Sequence, residues 1–237
     1  MNSTPRYQFV DGLRGMAIVL MMAYHFTFDL NYFNVVHIDF NHDHFWLSAR
    51  ALIVSMFLGL VGVSLYLANG HGFNRRRFWR RIGILAGCAV AVSLASYIMF
   101  PRTMIFFGIL HFILVASLLG VLCVRFYWGN LIIGALIIIV GLLAQDPVFN
   151  QPALQWVGLM THKPVTEDYV PLFPWFGVVL IGIFLGKYLY SEPVPAFARW
   201  QGNSALGRTL TLGGRHSLLI YMLHQPLFIG ILYMFFS

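Results

Sequence analysis

Residues Phe126–Gln145 read FYWGNLIIGALIIIVGLLAQ, without a single Asp, Glu, Lys or Arg. A helix of that length rises about 30 Å, the thickness of the hydrocarbon core of a bilayer. Five more runs share the property: Ala51–Gly70, Ile82–Pro101, Thr103–Val124, Tyr169–Gly186 and His216–Ser237. A seventh, Gly15–Phe28, is short and spans only if its helix carries Asp29, together with Asp11 and Arg14, toward the membrane. The whole chain agrees with this reading. Of its 237 residues 59% are hydrophobic and 10% charged, where a soluble domain carries about 25% charged residues. So apolar a chain is not disordered, and two Cys are too few for a disulfide-stapled secreted domain.

The expected fold is therefore all-α: a polytopic membrane bundle of about seven transmembrane helices, forming one integral-membrane domain over residues 1–237. Only Asn31–Phe45, Asp146–Asp168 and Ser191–Arg215 are long enough to be more than linkers. A cytoplasmic N-terminus puts Arg6, Arg14, Arg75, Arg76, Arg77, Arg80, Arg81, Arg125, Lys187, Arg199, Arg208 and Arg215 inside. Arg50, Arg102 and Lys163 are left outside, the asymmetry of the positive-inside rule. The net charge of +7 is then explained by an anionic inner leaflet, with membrane lipids as partners and no nucleic acid. No small-x-small cleavage pattern follows the first apolar run, so it reads as an uncleaved span. Cys88 and Cys123 read as small buried residues within spans. Gly182-x-x-x-Gly186, with Gly177 nearby, gives the sixth span small residues for close helix packing, and Pro171, Pro174 and Trp175 mark its start at the interface.

Ionisable groups on membrane helices are costly and tend to be functional. His25 and Asp29 are four residues apart on one helix face, and side chains lean toward the helix N-terminus, so the spacing predicts a carboxylate laid back over an imidazole. A carboxylate that fixes one ring nitrogen leaves the other as a base, able to draw a proton from an attacking hydroxyl or amine. The competing reading is a polar clamp in which Asp29 pairs with Arg50. His111 and His224 also fall midway along their spans, as substrate contacts or as core histidines bonded to a neighbouring helix. The outer loop His37-Ile-Asp39-Phe-Asn-His42-Asp43-His44 is rich in ligand types but has no matching distant pair, so no metal is expected. The inner Arg75-Arg-Arg-Phe-Trp-Arg80-Arg81 run marks topology and offers guanidinium forks to phosphates.

Several of these segments carry a resemblance. Arg14-Gly15, Met21, Tyr24-His25-Phe, Asp29-Leu30, Phe57-Leu-Gly-Leu-Val-Gly62, Phe107-Gly-Ile-Leu-His111 and Pro171-Leu-Phe-Pro174-Trp175 occur in order, followed by Gly214-Arg215-His216-Ser217 and Tyr221-Met-Leu-His224-Gln225-Pro226. Together, from Arg6 to about Pro226, they resemble the bacterial relatives of heparan-alpha-glucosaminide N-acetyltransferase, within the transmembrane acyltransferase superfamily. The resemblance implies an acyl-CoA-dependent acyltransferase of the bacterial inner membrane. It would move an acetyl group from cytoplasmic acetyl-CoA to an amine or hydroxyl of a sugar or cell-envelope glycan facing outward. It makes His25 and Asp29 the expected catalytic pair, Arg14, Arg75, Arg76, Arg80 and Arg81 the expected CoA contacts, and Arg50, His111, His224 and Trp175 the expected acceptor contacts. Animal members have Asn at the position of His25 and use an outer-loop histidine, which adds His44, with His42 beside it, as a second candidate base. The chain is shorter than those proteins and has fewer spans, so part of their acceptor-binding region is expected to be either missing or supplied by a second subunit of a homo-oligomer. A proton-coupled transporter of a small sugar or anionic metabolite is the alternative reading of the same histidines.

Overall fold

The computed structural model describes residues 7–69 and 72–236. Arg6, which the charge count placed inside, and the final residues Gly70 and Ser237 of two apolar runs lie outside the described residues. Among the described residues there are eight α-helices and no strand: α1 (Gln8–Tyr32), α2 (His44–Asn69), α3 (Arg75–Met99), α4 (Ile109–Cys123), α5 (Tyr127–Leu143), α6 (Leu172–Tyr190), α7 (Ala205–Arg215) and α8 (Ser217–Phe236). Each of the seven charge-poor runs contains one helix, so the expected all-helical membrane architecture is borne out. The eighth, α7, comes from the Ser191–Arg215 connecting stretch. Five helices, α1, α2, α3, α6 and α8, are long and apolar enough to cross a membrane, whereas α4 and α5 are shorter, at 15 and 17 residues. The run that begins at Thr103 becomes helical only at Ile109, because absence of charge does not impose helical backbone: Thr103–Phe107 is irregular and pairs with the Glu167–Val170 segment. Large apolar side chains remain bare on the surface, among them Ile98, Leu122 and Leu143 at 70–80% exposure. Such a surface suits lipid rather than water.

The chain divides into two compact units, residues 1–57 with 194–237, and residues 58–193, with α2 passing from one to the other. In the first unit, α1 packs chiefly on α7 and then on α8. Its buried positions, Val10, Asp11, Gly15, Ile18, Met21 and Asp29, recur at helical spacing and form one stripe. Ile18, Met21 and Ile53 form a small core with Tyr24, Phe57, Ile220 and Tyr221 around it. Where α1 meets α7 the contact is backbone on backbone. A Cβ on Gly15 would run into the Leu210 carbonyl, and one on Gly214 into the Asp11 carbonyl. Gly207, Thr211 and Gly214 are the buried stripe of α7, and the Ser204 hydroxyl caps its first turn by accepting from the Gly207 N–H at 3.0 Å.

In the second unit, α6 lies against α5 and α4 around Leu58, Leu65, Phe112, Val179, Leu180 and Ile183, all 2% exposed or less. The glycines expected to let α6 pack closely do so: a Cβ on Gly182 would strike the Gly59 carbonyl of α2, and one on Gly177 the Gly134 carbonyl of α5. Pro171 is the residue before α6, and Phe173 is still non-helical, so the regular helix starts at Pro174. The Asp146–Asp168 stretch is a built loop with two short 3₁₀ turns, Pro147–Asn150 and Gln155–Val157. Thr166 donates to the Met104 carbonyl at 2.8 Å and the Tyr169 hydroxyl to the Gln155 carbonyl at 2.5 Å. The Asp168 carboxylate accepts from the Ile109 N–H at 2.8 Å, which caps α4.

Gly182 and Gly83 form a controlled pair, since a Cβ at Gly83 meets nothing within 4 Å. Gly182→Ala is expected to lower the unfolding midpoint of the detergent-solubilised protein by the equivalent of about 1–3 kcal/mol of overpacking. Gly83→Ala is expected to leave it unchanged or raise it slightly; equal behaviour of the two would contradict the close α2–α6 contact.

Candidate functional site

The first unit gathers most of the ionisable groups that the sequence singled out. Two clusters lie along α1. Near its start the Asp11 carboxylate, 4% exposed, accepts from the Arg14 guanidinium at 2.9 Å and faces the Arg215 Nε of α7 at 3.6 Å. Two cations answering one buried anion leave a net positive charge there, and Arg14 is engaged by Asp11 rather than simply presented to a ligand. Beside this cluster is a hollow of about 480 Å³ lined by Gln8, Asn203, Arg208, Thr211 and Arg215. Arg208 and Arg215, topology markers by the charge count, thus line a hollow as well.

The second cluster lies further along α1. Asp29 is 4% exposed and His25 is half-buried, both on the face toward α8. The expected direct hydrogen bond between them is replaced by a bridge, because the Gln225 amide of α8 occupies the space between the two side chains. A carboxylate only accepts, so the amide NH₂ must face Asp29. In that orientation Gln225 donates to Asp29 Oδ2 at 2.9 Å and Oδ1 at 3.3 Å, and its carbonyl accepts from His25 Nδ1 at 3.0 Å. Asp29 is thus held by Gln225 and not by Arg50, the partner in the competing reading.

His224, 5% exposed, stands edge-on to His25 with ring centroids 5.0 Å apart. Pro226 has no N–H to give to the Met222 carbonyl, which loosens this turn of α8. There the His224 Nδ1 bonds the Tyr221 carbonyl at 2.6 Å. Its Nε2 is buried with no hydrogen-bond partner.

The loop between α1 and α2 folds back over this end of α1. Phe40, 4% exposed, is boxed by Tyr24, Phe28 and Trp46 with centroid separations of 4.6–5.5 Å, and Tyr24 in turn meets the His25 ring edge-on. His44 is exposed as the first residue of α2, just after Asp43, whose carboxylate accepts from the Phe45 N–H. His42 is exposed and bonds Asp39 at 2.8 Å; this contact and two backbone N–H donors hold the Asp39 carboxyl below its ordinary range. Among the described residues no three His, Cys, Asp or Glu side chains converge on a metal-sized site.

The remaining candidates lie in the second unit. His111 is occupied at both nitrogens. Ser93 donates to the Ile105 carbonyl at 2.6 Å, so its oxygen is available to accept from His111 Nε2 at 3.1 Å, while His111 Nδ1 accepts from the Gly108 N–H at 3.3 Å. Trp175 sits half-buried in the first turn of α6. Arg75, Arg76 and Arg80 are exposed and Arg81 half-buried at the start of α3, where the Asn74 side chain caps the helix. Cys88 and Cys123 are free thiols, both half-buried.

Two structural partners at the candidate site carry no role in the sequence pattern: Gln225, which bridges His25 and Asp29, and Asp11, which anchors Arg14. The signal for Gln225 was available: an amide on a membrane helix needs partners as a charge does, yet a search for charged residues passes over it.

Fold and site together define an integral-membrane protein that carries imidazole and carboxylate groups on its spanning helices. The family described as heparan-alpha-glucosaminide N-acetyltransferase, catalytic, matches residues 6–226, nearly the whole chain, and the chain belongs to that family. It is accordingly a membrane acetyltransferase in general terms, from a family whose donor is acetyl-CoA. No curated protein and no solved structure matches the chain.

Removing the anion from the first cluster is expected to be costly. Asp11→Ala leaves two part-exposed guanidiniums without their shared anion and removes a charge-assisted hydrogen bond, a change that typically costs about 1–3 kcal/mol, whereas Asp39→Ala removes an exposed contact of little consequence. Thermal unfolding of the two variants should separate them clearly, and equal midpoints would show that Asp11 is not a structural anchor.

Proposed function

We propose that the protein transfers an acyl group, acetyl foremost, from cytoplasmic acyl-CoA to an amine or hydroxyl of a sugar or cell-envelope glycan on the outer side of the bacterial inner membrane. The observation that carries this reading is the His25–Gln225–Asp29 assembly within a chain that belongs to an acetyltransferase family. The family match runs through both units, which supports treating residues 1–237 as one acyltransferase domain. The charge asymmetry supports a cytoplasmic N-terminus and hence a donor arriving at the end of α1 that bears Asp11 and Arg14.

In this mechanism His25 takes a proton from the acceptor as its nitrogen or oxygen attacks the thioester carbonyl. The tetrahedral intermediate collapses with cleavage of the carbon–sulfur bond. The proton passes from the imidazole to the departing thiolate, giving CoA thiol and acylated acceptor. Asp29, acting through Gln225, keeps the imidazole oriented. Arg14 is the candidate phosphate contact of the donor in the first unit, and Arg75, Arg76, Arg80 and Arg81 are the candidates of the second unit taken by itself. Arg208 and Arg215, at the hollow beside Asp11, join them on the strength of their charge and setting. Arg50 and His224 remain candidate acceptor contacts of the first unit; His111 and Trp175 are candidates of the second unit taken by itself, with His111 the most committed to structure. His44 is the second candidate base, on the exposed rim of the loop.

The test is release of CoA thiol from acetyl-CoA by purified protein in the presence of a panel of amino sugars and envelope glycans, with product masses recorded. His25→Ala is expected to reduce turnover by about 10²–10⁴-fold while donor binding persists, and His44→Ala to change it little. Unchanged turnover in His25→Ala with loss in His44→Ala would move the base to the outer loop.

A further inference from the structure

A neutral imidazole has one donor and one acceptor nitrogen, and the partner of the first decides where the second points its lone pair. The hydrogen-bond partner that the structure gives His25 is Gln225. The other ring in contact, His224, bonds a backbone carbonyl through Nδ1, so that nitrogen carries the hydrogen and its buried Nε2 has only a lone pair to offer. Tyr24 meets His25 through ring edges. Among the described residues, nothing around His25 except Gln225 therefore sets its tautomer. Gln225 is itself oriented by Asp29, which accepts from the amide NH₂ with both oxygens. An amide turned the other way would set its carbonyl against a carboxylate.

We propose that Gln225 is a positioning residue that holds His25 in the Nδ1–H form, so that Nε2 is the nitrogen acting on the acceptor, with Asp29 fixing the amide rather than the ring. The assignment of a base to His25 rests on the reading above, but the tautomer does not. The negative charge of Asp29 polarises the amide, makes its carbonyl a stronger acceptor and so favours His25 Nδ1 as donor. The arrangement resembles a metal ligand's outer partner, in which the group behind the imidazole settles both ring orientation and basicity. It also explains why adjacent residues of α8, His224 and Gln225, serve the same α1 histidine differently, one as a packed ring and the other as a hydrogen-bonded amide.

The experiment is nitrogen NMR of the full chain carrying ¹⁵N-labelled histidine in lipid nanodiscs, with His25→Ala to assign the His25 signals. The wild-type protein is expected to show His25 as the Nδ1–H tautomer. In Gln225→Met, similar in length but unable to form either bond, the His25 signals should become those of a mixture. The His111 signals, which the Ser93 and Gly108 bonds make Nε2–H, should stay in place and report an intact second unit. With acetyl-CoA and an amino-sugar acceptor, kcat should fall by about 100-fold and KM for acetyl-CoA change by less than about twofold. Should the Met variant fail to fold, Asp29→Asn serves: an asparagine can present either face to Gln225, so His25 should again become a mixture. Nε2–H in the wild type, or an unchanged Nδ1–H form in folded Gln225→Met or Asp29→Asn, would overturn the proposal. A wild-type protein without transferase activity but with the expected tautomers would overturn the acyltransferase reading and uphold this one.

Discussion

Hydrocarbon answers no hydrogen bond, so a polar atom on a membrane helix is costly unless another atom of the protein answers it. The first unit is organised around that constraint. Helix α1 carries Asp11, Arg14, His25 and Asp29, and the elements packed on it supply what those groups require. Arg215 at the end of α7 faces Asp11, and Gln225 of α8 meets His25 and Asp29 together. The bare-backbone contact at Gly15 and Gly214 draws α7 onto α1 near Asp11, so packing and charge compensation are one feature. The second unit meets the same constraint differently. Its polar side chains mostly serve loose backbone ends, as when Asn130 of α5 donates to the Cys123 carbonyl at the end of α4, or Ser93 to the Ile105 carbonyl.

This difference separates three histidines that look alike in one dimension. His111 is spent on closing the first turn of α4. His224 has one nitrogen tied to backbone and the other buried without a partner. His25 is half-buried, as His111 is, but it has a carboxylate behind it and an amide between. A residue that can exchange protons needs a defined tautomer and an open nitrogen. Among the described residues, His25 is the midspan histidine whose ring is bonded to a side chain that a carboxylate holds in turn.

Much of the fold was legible because its rule is simple: a run without charges is a span. That rule located all seven apolar helices, and the glycines of the sixth span foretold its close approach to two neighbours. It erred where apolar sequence is not helical, since Thr103–Phe107 is held by the later Glu167–Val170 segment, a pairing that no local pattern contains. It also did not foresee α7, whose stripe of Gly207, Thr211 and Gly214 is buried by small size rather than by hydrophobicity. At the site, the i,i+4 spacing correctly put His25 and Asp29 on one face. What joined them came from residue 225, some two hundred positions away, and a neutral amide carries no charge for a charge-based search to find. Conversely Arg14 looked like a ligand contact because its counter-ion Asp11, three residues earlier, was read as another exception rather than as its partner.

The cap on α4 has a consequence for how the protein is made. The N–H of Ile109 is answered by Asp168, 59 residues further along the chain. At about 5–20 residues per second, the ribosome adds that carboxylate roughly 3–12 s after Ile109 itself. Through that interval α4 has been synthesised but its first turn lacks its acceptor, and α5 must be completed before the loop bearing Asp168 can return to it. The start of α4 is thus finished retroactively, and the α5–α6 loop acts as the fastener that closes assembly of this unit from the far side of two helices.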